Sequence, residues 1–476
     1  MLLTIKYGGT SVGDAGRIRS AAELVKRVLD QGHRVVVVTS AMAGVTNKLV
    51  GLLGQATAAA GEDENRVAEY FRFTKQLEQD HVATAKGAIR DPKLVEDVAG
   101  ALYMERHGLD RVLLGSHLLG ELTPIGYDFV VSEGERLCVP ILAGCLRDLG
   151  VDAVGVGGDE AGIVTDNNYG NSLPNEQRTR EGVRKALLPL LEAGKTPVVA
   201  GFYGRSEKGR IAILGRGGSD FTATLVGCAL DADEIWILKH DVDGIKTTDP
   251  RLVPNAYTIP EVSYEIAAEM ALLGAKVLHP KSVQPAARQR IPVRIASSFE
   301  PDKPGTRLAH LPAAAAPRVS ALTLVRGGAI VYARSPDMGG EGIVSGGLGD
   351  DLRAQNIDVL SAAVGFNGGS GLWLIGGSEL EKFLAVLRTH VAPEVLITVQ
   401  RKAAVLGIVG ERAATAAGIL VRVARCLEKA RTEPLAILQG ASPNSIVIAL
   451  PDDDHLSVAL QGLHTELGLD PTGEPR

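Results

Sequence analysis

The chain has 476 residues, 45% hydrophobic and 4% aromatic, with 50 Lys and Arg against 56 Asp and Glu for a net charge of −6. That length predicts two to four globular domains, and the interspersed charges leave no basic stripe for nucleic acid. Four scattered cysteines without a Cys-x-x-Cys pair argue against a zinc site or disulfide framework and suit a reducing cytosol, and no apolar run reaches the length of a membrane span.

The N-terminus reads as free of a signal peptide, with an apolar run, Leu2-Leu3-Thr4-Ile5, followed directly by Lys6-Tyr7-Gly8-Gly9-Thr10-Ser11. The pattern predicts a buried strand over 2–6 and a helix over 15–29. Between them stand a lysine, two glycines and two hydroxyls. The glycines let the backbone approach an oxyanion, the helix start offers N–H groups, and the lysine adds charge. The spacing is neither a Walker loop nor G-x-G-x-x-G, and an ordinary strand–turn–helix is an equal reading of these six residues alone.

Further strands are predicted over 34–40, 127–132, 151–156, 196–203 and 234–238, with helices between them. This alternation over residues 1–308 implies an α/β fold, a mostly parallel sheet covered by helices on both faces. After the second strand, Thr39 to Asn47 offers small and hydroxyl groups, among them Ser40 and Thr46, to a small polar ligand; a plain loop is an equal reading. Residues 50–120 break the alternation as a polar helical insertion, with helices over 62–87, 92–104 and 111–119.

Ser132-Glu133-Gly134-Glu135-Arg136 is predicted to lead from a strand end into a helix, where a carboxylate receives an ammonium group or simply stands in a first helical turn. Gly194-Lys195-Thr196 resembles the end of a Walker loop, but Pro189 occupies the place of its first glycine, so Gly194 reads as a helix C-cap. Leu214-Gly215-Arg216-Gly217-Gly218-Ser219-Asp220 opens a predicted helix over 221–230. Arg216 suits bidentate binding of a carboxylate, and Asp220 orients a reacting carboxylate, helps organise a metal, or caps the helix together with Ser219. Trp236 to Ile245, with Lys239, His240 and Asp241, ends a strand where ligands of open α/β sheets bind, and Thr248-Asp249-Pro250-Arg251 follows. In Gly274-Ala275-Lys276-Val277-Leu278-His279-Pro280, Lys276 reaches phosphates or is a solvated charge, and His279-Pro280 reads as structural.

His310-Leu311-Pro312-Ala313-Ala314-Ala315-Ala316-Pro317-Arg318 reads as a linker. Beyond it the units shorten. One begins near Val319 and another near Lys402, and 346–356 followed by 357–364 matches 415–430 followed by 433–439 as a weak internal repeat. Two α+β ferredoxin-like βαββαβ modules are the natural reading.

In this order, KYGGTS, TSAMAGVTN, LTPIGYDFVVSEGERL, LGRGGSD, DVDGIKTTDPR and GAKVLHPKS resemble the motifs of the aspartate kinases, in the amino-acid-kinase superfamily. The resemblance runs over nearly the whole chain and is to the monofunctional form. It implies a catalytic domain at 1–308 with the helical insertion, a linker at 309–318, and ACT modules at 319–400 and 401–476. The implied activity is phosphoryl transfer from ATP, with Mg²⁺, to the β-carboxylate of L-aspartate, the first step towards lysine, threonine and methionine. Lys6 then neutralises the transferring group with Gly8, Gly9, Thr10 and Ser11, and Asp220 orders the reacting groups. Arg216 clamps the α-carboxylate, Glu135 receives the α-ammonium, and Ser40, Thr46 and Ser219 contact the substrate. Lys239, His240, Asp241, Arg251 and Lys276 hold the nucleotide. The same resemblance implies a cytoplasmic homo-oligomer, minimally a dimer through the ACT modules, that is feedback-regulated there by an amino acid such as lysine or threonine. Metal ligands are not implied. Tyr7 stands where the family usually has phenylalanine, and the first module reads Phe366-Asn367-Gly368-Gly369-Ser370-Gly371 where a Ser-Glu strand is usual.

Overall fold

The computed structural model describes the chain except residues 58–63, 241, 276–277, 313–315, 337–346, 356, 366–368, 440–441 and 471–476, and the side chains of 54–57 and 64–66. The expectations made at Glu62, Asp241, Lys276, Gly346, Asn356, 366–368, Gly440 and Ala441 lie outside the described residues. Two compact units are present, Met1–Gly244 with Leu278–His310, and Ile245–Val277 with Leu311–Arg476. Residues 245–277, expected inside the catalytic domain, therefore group with the C-terminal part of the chain.

From the N-terminus run β1 (Leu2–Tyr7), α1 (Ala15–Asp30), β2 (Arg34–Thr39), α2 (Val45–Thr57), α3 (Glu64–Ala88), α4 (Pro92–Leu119) and α5 (Pro124–Asp148). Then come β3 (Ala153–Val156), β4 (Val164–Thr165), α6 (Glu176–Glu192), β5 (Thr196–Ala200), β6 (Tyr203–Ser206), β7 (Ile211–Ile213), α7 (Gly218–Ala229) and β8 (Glu234–Lys239). β9 (Glu261–Ser263) and α8 (Tyr264–Leu272) belong to the second unit, and α9 (Pro280–Gln289), β10 (Val293–Ser297) and β11 (Thr306–Ala309) to the first.

In the first unit the strand order is β3-β5-β2-β1-β8-β10-β11, parallel as far as β10, with β11 antiparallel to it. β1 and β2 are almost wholly buried apolar runs, as strands covered on both faces must be. Ile5 and Tyr7 pack with Ile18, Val25 and Leu142 of α1 and α5 in one core. The Tyr7 hydroxyl, which phenylalanine would lack, donates to the Ala21 carbonyl at 3.0 Å.

Three sequence expectations are corrected here. Residues 127–132 are helix, not strand: Thr123 accepts from the Gly126 N–H and Pro124 stands in the first turn, which starts α5 before the apolar run begins. α5 is buried nearly all round, so its apolar residues show no helical stripe. The expected break between 104 and 111 is absent, since α4 tolerates Gly108 and runs on to a left-handed cap at Gly120. The strand expected over 196–203 splits into β5 and β6 at Phe202, whose φ is +77°.

In the second unit lie β12 (Ala321–Arg334), α10 (Leu348–Ala354), β13 (Val359–Gly365), β14 (Ser370–Ile375), α11 (Leu380–His390) and β15 (Leu396–Val409). α12 (Ala417–Lys429), β16 (Ala436–Gln439), β17 (Ser445–Pro451) and α13 (Leu456–Glu466) complete it. One antiparallel sheet orders them β13-β14-β12-β15-β17-β16. It carries two cores. Ala329, Val331 and Ala333 of β12 pack with Leu352, Trp373 and Phe383. Leu322, at the other end of β12, packs with Leu406, Val423, Ile448 and Leu460. β12 and β15 thus each serve both cores, and the register breaks between Val325 and Ala329, where one core gives way to the other. The βαββαβ modules are interleaved rather than serial. The repeat read from the sequence corresponds to α10 with β13 and α12 with β16, both pairs ending in an edge strand.

The segment 245–277 joins this unit through a 2.7 Å bond from the Leu322 N–H to the Thr247 carbonyl. A 2.9 Å Thr247–His464 bond and a 2.8 Å Ser445–Glu269 bond reinforce it. Val253 is buried in the second core.

Candidate active site

Lys6 and Lys239 end the adjacent parallel strands β1 and β8. Side chains alternate across a strand, so with Ile5 and Tyr7 facing α1 and α5, Lys6 faces α7. There it meets Asp220, in the first turn of α7. The Lys6 ammonium pairs with one carboxylate oxygen, and that of Lys239 lies 3.1 Å from the other. Lys6 and Asp220 are each only 5% exposed.

Burial alone would raise the Asp220 pKa, but the two ammonium groups outweigh it and hold the carboxyl below its usual range. Burial lowers the Lys6 pKa, which pairing with Asp220 opposes without cancelling and the charge of Lys239 lowers further. Two cations against one anion leave a net positive charge at the strand ends.

α7 opens at Gly217, φ +71°, with no side-chain cap. Ser219 and Asp220 therefore stand inside the first turn and are not the caps expected from the sequence. The Gly218 N–H donates to the Gly215 carbonyl at 3.0 Å, so the anion-attracting end of α7 is offered by the N–H groups that follow it in the first turn. The start of α1 differs from expectation. A 3-10 turn, Gly9–Val12, starts at the second glycine, and Asp14 caps α1 by accepting from the Arg17 N–H. Lys6, and not the α1 terminus, thus brings the charge here. Gly8 donates to the Leu238 carbonyl at 3.2 Å, which ties the glycine turn to β8. Ser11 is buried and accepts from the Ser298 hydroxyl at 2.8 Å, whereas Thr10 is exposed.

These groups open on a cleft of about 420 Å³ lined by Lys6, Ser40, Thr46, Arg216, Ser219 and Asp220. Tyr127, Val131, Phe202 and Ile213 form its apolar wall. Glu135 is 3% exposed, behind Lys6 on α5. Burial pushes its pKa up to about 8, against a hydrogen bond from the backbone of Ala41 and the nearby charge of Lys6. One of its oxygens is buried without a hydrogen-bond partner. A Cβ on the neighbouring Gly134 would stand 2.7 Å from the Ala41 methyl, so glycine is what lets α5 come this close to the loop after β2.

Of the expected nucleotide contacts, Lys239 is half-buried and pairs with Asp220 beside Lys6, a position its place in the sequence did not disclose. His240 meets Phe299 edge-on at 4.5 Å between ring centroids. Arg251 belongs to the second unit, where it is exposed and chelates Asp249 at 2.6 Å. Tyr127, Phe202 and Ile213 were not anticipated in the cleft; tertiary packing alone brings them in. Among the described residues no group of three or more His, Cys, Asp or Glu side chains is placed to hold a metal. Both Asp220 oxygens are engaged by lysines.

A strand-end lysine, a helix start and a guanidinium around one cleft, with a second lysine beside them, define a class: an α/β protein whose site carries positive charge at its strand ends. The amino acid kinase family model matches residues 1–297. Aspartate kinase of Pseudomonas putida is 30% identical over 98% of both chains. Aspartokinase 1, chloroplastic, of Arabidopsis thaliana is 35% identical over 63% of this chain, which spans 51% of that relative's length. Among solved structures, Escherichia coli aspartokinase III with aspartate and ADP, in its R-state, superposes with a TM-score of 0.79 at 29% identity, over 98% of this chain and 100% of that one. The T-state of that protein, with lysine and aspartate, gives a TM-score of 0.77 at 29% identity, over 98% and 99%. The chain belongs to the amino acid kinase family, and within it to the aspartate kinases. Among the described residues no helix is long and apolar enough to cross a membrane.

Proposed function

We propose that the chain transfers the γ-phosphoryl group of ATP to the β-carboxylate of L-aspartate, giving 4-phospho-L-aspartate for lysine, threonine and methionine biosynthesis. The observation that carries this reading is the convergence of Lys6, from the end of β1, with Arg216 and Asp220, from the turn that opens α7, on one cleft. Bringing two anions together is a problem of positioning and charge neutralisation.

In this reading Arg216 clamps the α-carboxylate of aspartate, and Glu135 receives its α-ammonium. Ser40, Thr46 and Ser219 contact the rest of the substrate. Lys6 meets the transferring phosphoryl group, and Gly8, Gly9, Thr10 and Ser11 line its approach. Asp220 holds Lys6 and Lys239 in place and so fixes where positive charge falls. Lys239 and His240 stand at the strand end assigned to the nucleotide; Asp241, Arg251 and Lys276 remain assigned to it by family resemblance alone. The described residues form no metal site of their own, which fits Mg²⁺ arriving with the triphosphate and completing its shell with phosphate oxygens and water. When bound, it shields phosphate charge.

The C-terminal modules are assigned an amino-acid effector, lysine or threonine, and the pairing of subunits into a homodimer or larger homo-oligomer. The lysine-bound T-state of the similar aspartokinase III supports the first assignment. Four buried, unpaired cysteines support a reducing, cytoplasmic setting.

The test is ATP-dependent aspartyl hydroxamate formation, with and without lysine and threonine. Hydroxamate from aspartate that falls with one of them is the expected result. None from aspartate but some from glutamate would reassign the acceptor, and none from either would reduce the chain to an amino-acid sensor.

A further inference from the structure

Asp128 is fully buried on α5, outside the cleft lining. One of its oxygens accepts two backbone N–H groups, from Gly170 at 3.1 Å and Ile213 at 3.0 Å. The Ser172 N–H closes the same loop by donating to the Ile213 carbonyl at 2.8 Å. Residues 170–172 are thereby fastened to the end of β7, the strand that runs into Gly215-Arg216-Gly217.

Asn171 lies within that fastened loop, directly against the turn: a Cβ on Gly215, φ +74°, would overlap its side-chain oxygen. The same oxygen accepts from the Lys281 ammonium of α9 at 3.2 Å. At Gly217 the His279 Cβ stands 2.9 Å from where a side chain would begin. The turn that carries Arg216 is therefore boxed between the loop and the start of α9, and the loop's own position depends on Asp128.

We propose that Asp128 is a positioning residue for the acceptor site: by gripping the Gly170 and Ile213 amides it sets Asn171 against Gly215 and so fixes the turn from which Arg216 reaches the substrate carboxylate. This rests on the reading of Arg216 as the carboxylate clamp. A shift of about 1 Å at a positioning group costs on the order of 100-fold in turnover efficiency, so a residue that never touches substrate matters here.

The test compares Asp128→Leu, which removes the acceptor at similar size, with Asp128→Asn, which keeps one shared oxygen. The wild-type hydroxamate assay comes first, and inactivity there condemns the proposed function and not this inference. With active wild type, Asp128→Leu is expected to raise the aspartate KM about 10-fold or more and the ATP KM less than about twofold, while Asp128→Asn stays within about threefold of wild type. In an Arg216→Ala background, Asp128→Leu should add almost nothing, because both act through one group. Equal shifts in both KM values, or a full additional loss on top of Arg216→Ala, would overturn the proposal. Should Asp128→Leu fail to fold, Asn171→Ala removes the far end of the brace from a surface loop. It should raise the aspartate KM alone, and an unchanged value would overturn the proposal as surely.

Discussion

The buried Lys6 and Asp220 and the half-buried Lys239 form a cluster in which each cation has a separate oxygen to grip. This arrangement makes the cluster tolerant of one loss. Removing Lys6 leaves Asp220 paired with Lys239, so the fold should survive, while under the proposed function the transferring phosphoryl group would lose its nearest buried charge. Lys6→Ala is expected to lower kcat by about 100- to 1,000-fold, the usual loss for one preorganised donor, with an unchanged far-UV spectrum and little change in melting temperature. Arg216→Ala should act on binding instead. A charged hydrogen bond of about 1.5–3 kcal/mol corresponds to a 10- to 150-fold rise in aspartate KM, with the ATP KM unaltered. Glu135 has its own signature. With a pKa near 8 it is largely protonated at neutral pH, and receiving an ammonium group requires the carboxylate. Aspartate binding should therefore release a proton at pH 7, and the aspartate KM should fall as pH rises from 6 to 8. Calorimetry in buffers of different ionisation enthalpy measures that proton directly, and Glu135→Gln should abolish the release.

α5 shows why some of this was legible in the chain and some was not. The candidate site residues stand in short motifs of distinctive residue types, so Lys6, Ser40, Thr46, Arg216, Ser219 and Asp220 could be picked out one by one, and one cleft gathers them. The helix that carries Glu135 was misjudged because burial on every side erases amphipathic periodicity, and a Val-Val pair then resembles a strand. Thr123-Pro124 was the signal that should have decided it. Asp128 and Phe202 had no local signal at all, since their partners lie about 40 to 85 residues away or in a strained turn. The approach of α5 to the loop after β2 yields a prediction of its own. Gly134→Ala places a methyl 2.7 Å from that of Ala41 and 3.3 Å from Val45. Overpacking of this kind costs about 1–3 kcal/mol. A lower melting temperature should come with a raised aspartate KM, because the displaced helix carries Glu135 with it.

The segment 245–277 leaves the first unit after β8 and returns at α9, having packed in between with the C-terminal modules. Its apolar and polar anchors, Val253 and Thr247, have their partners beyond residue 318. A chain cut after His310 should therefore be less soluble and lose its cooperative melt, even though the strand-end lysines, Asp220 and Arg216 are all retained. Sedimentation and calorimetry of the truncated and full chains check this, and a soluble fragment with a sharp transition would contradict it. The interleaved modules carry a consequence for how such a gene can be rearranged. Residues 329–399 supply one core while residues on both flanks supply the other. A single recombination breakpoint near residue 400, where a reading of the sequence in series would place the seam, leaves two broken modules. Two breakpoints, near 327 and 402, remove one module as a cassette and leave its host strands contiguous. Removing that cassette is expected to leave a remainder with its core closed, whereas truncation at residue 400 is not, and the melting curves of the two shortened chains check this.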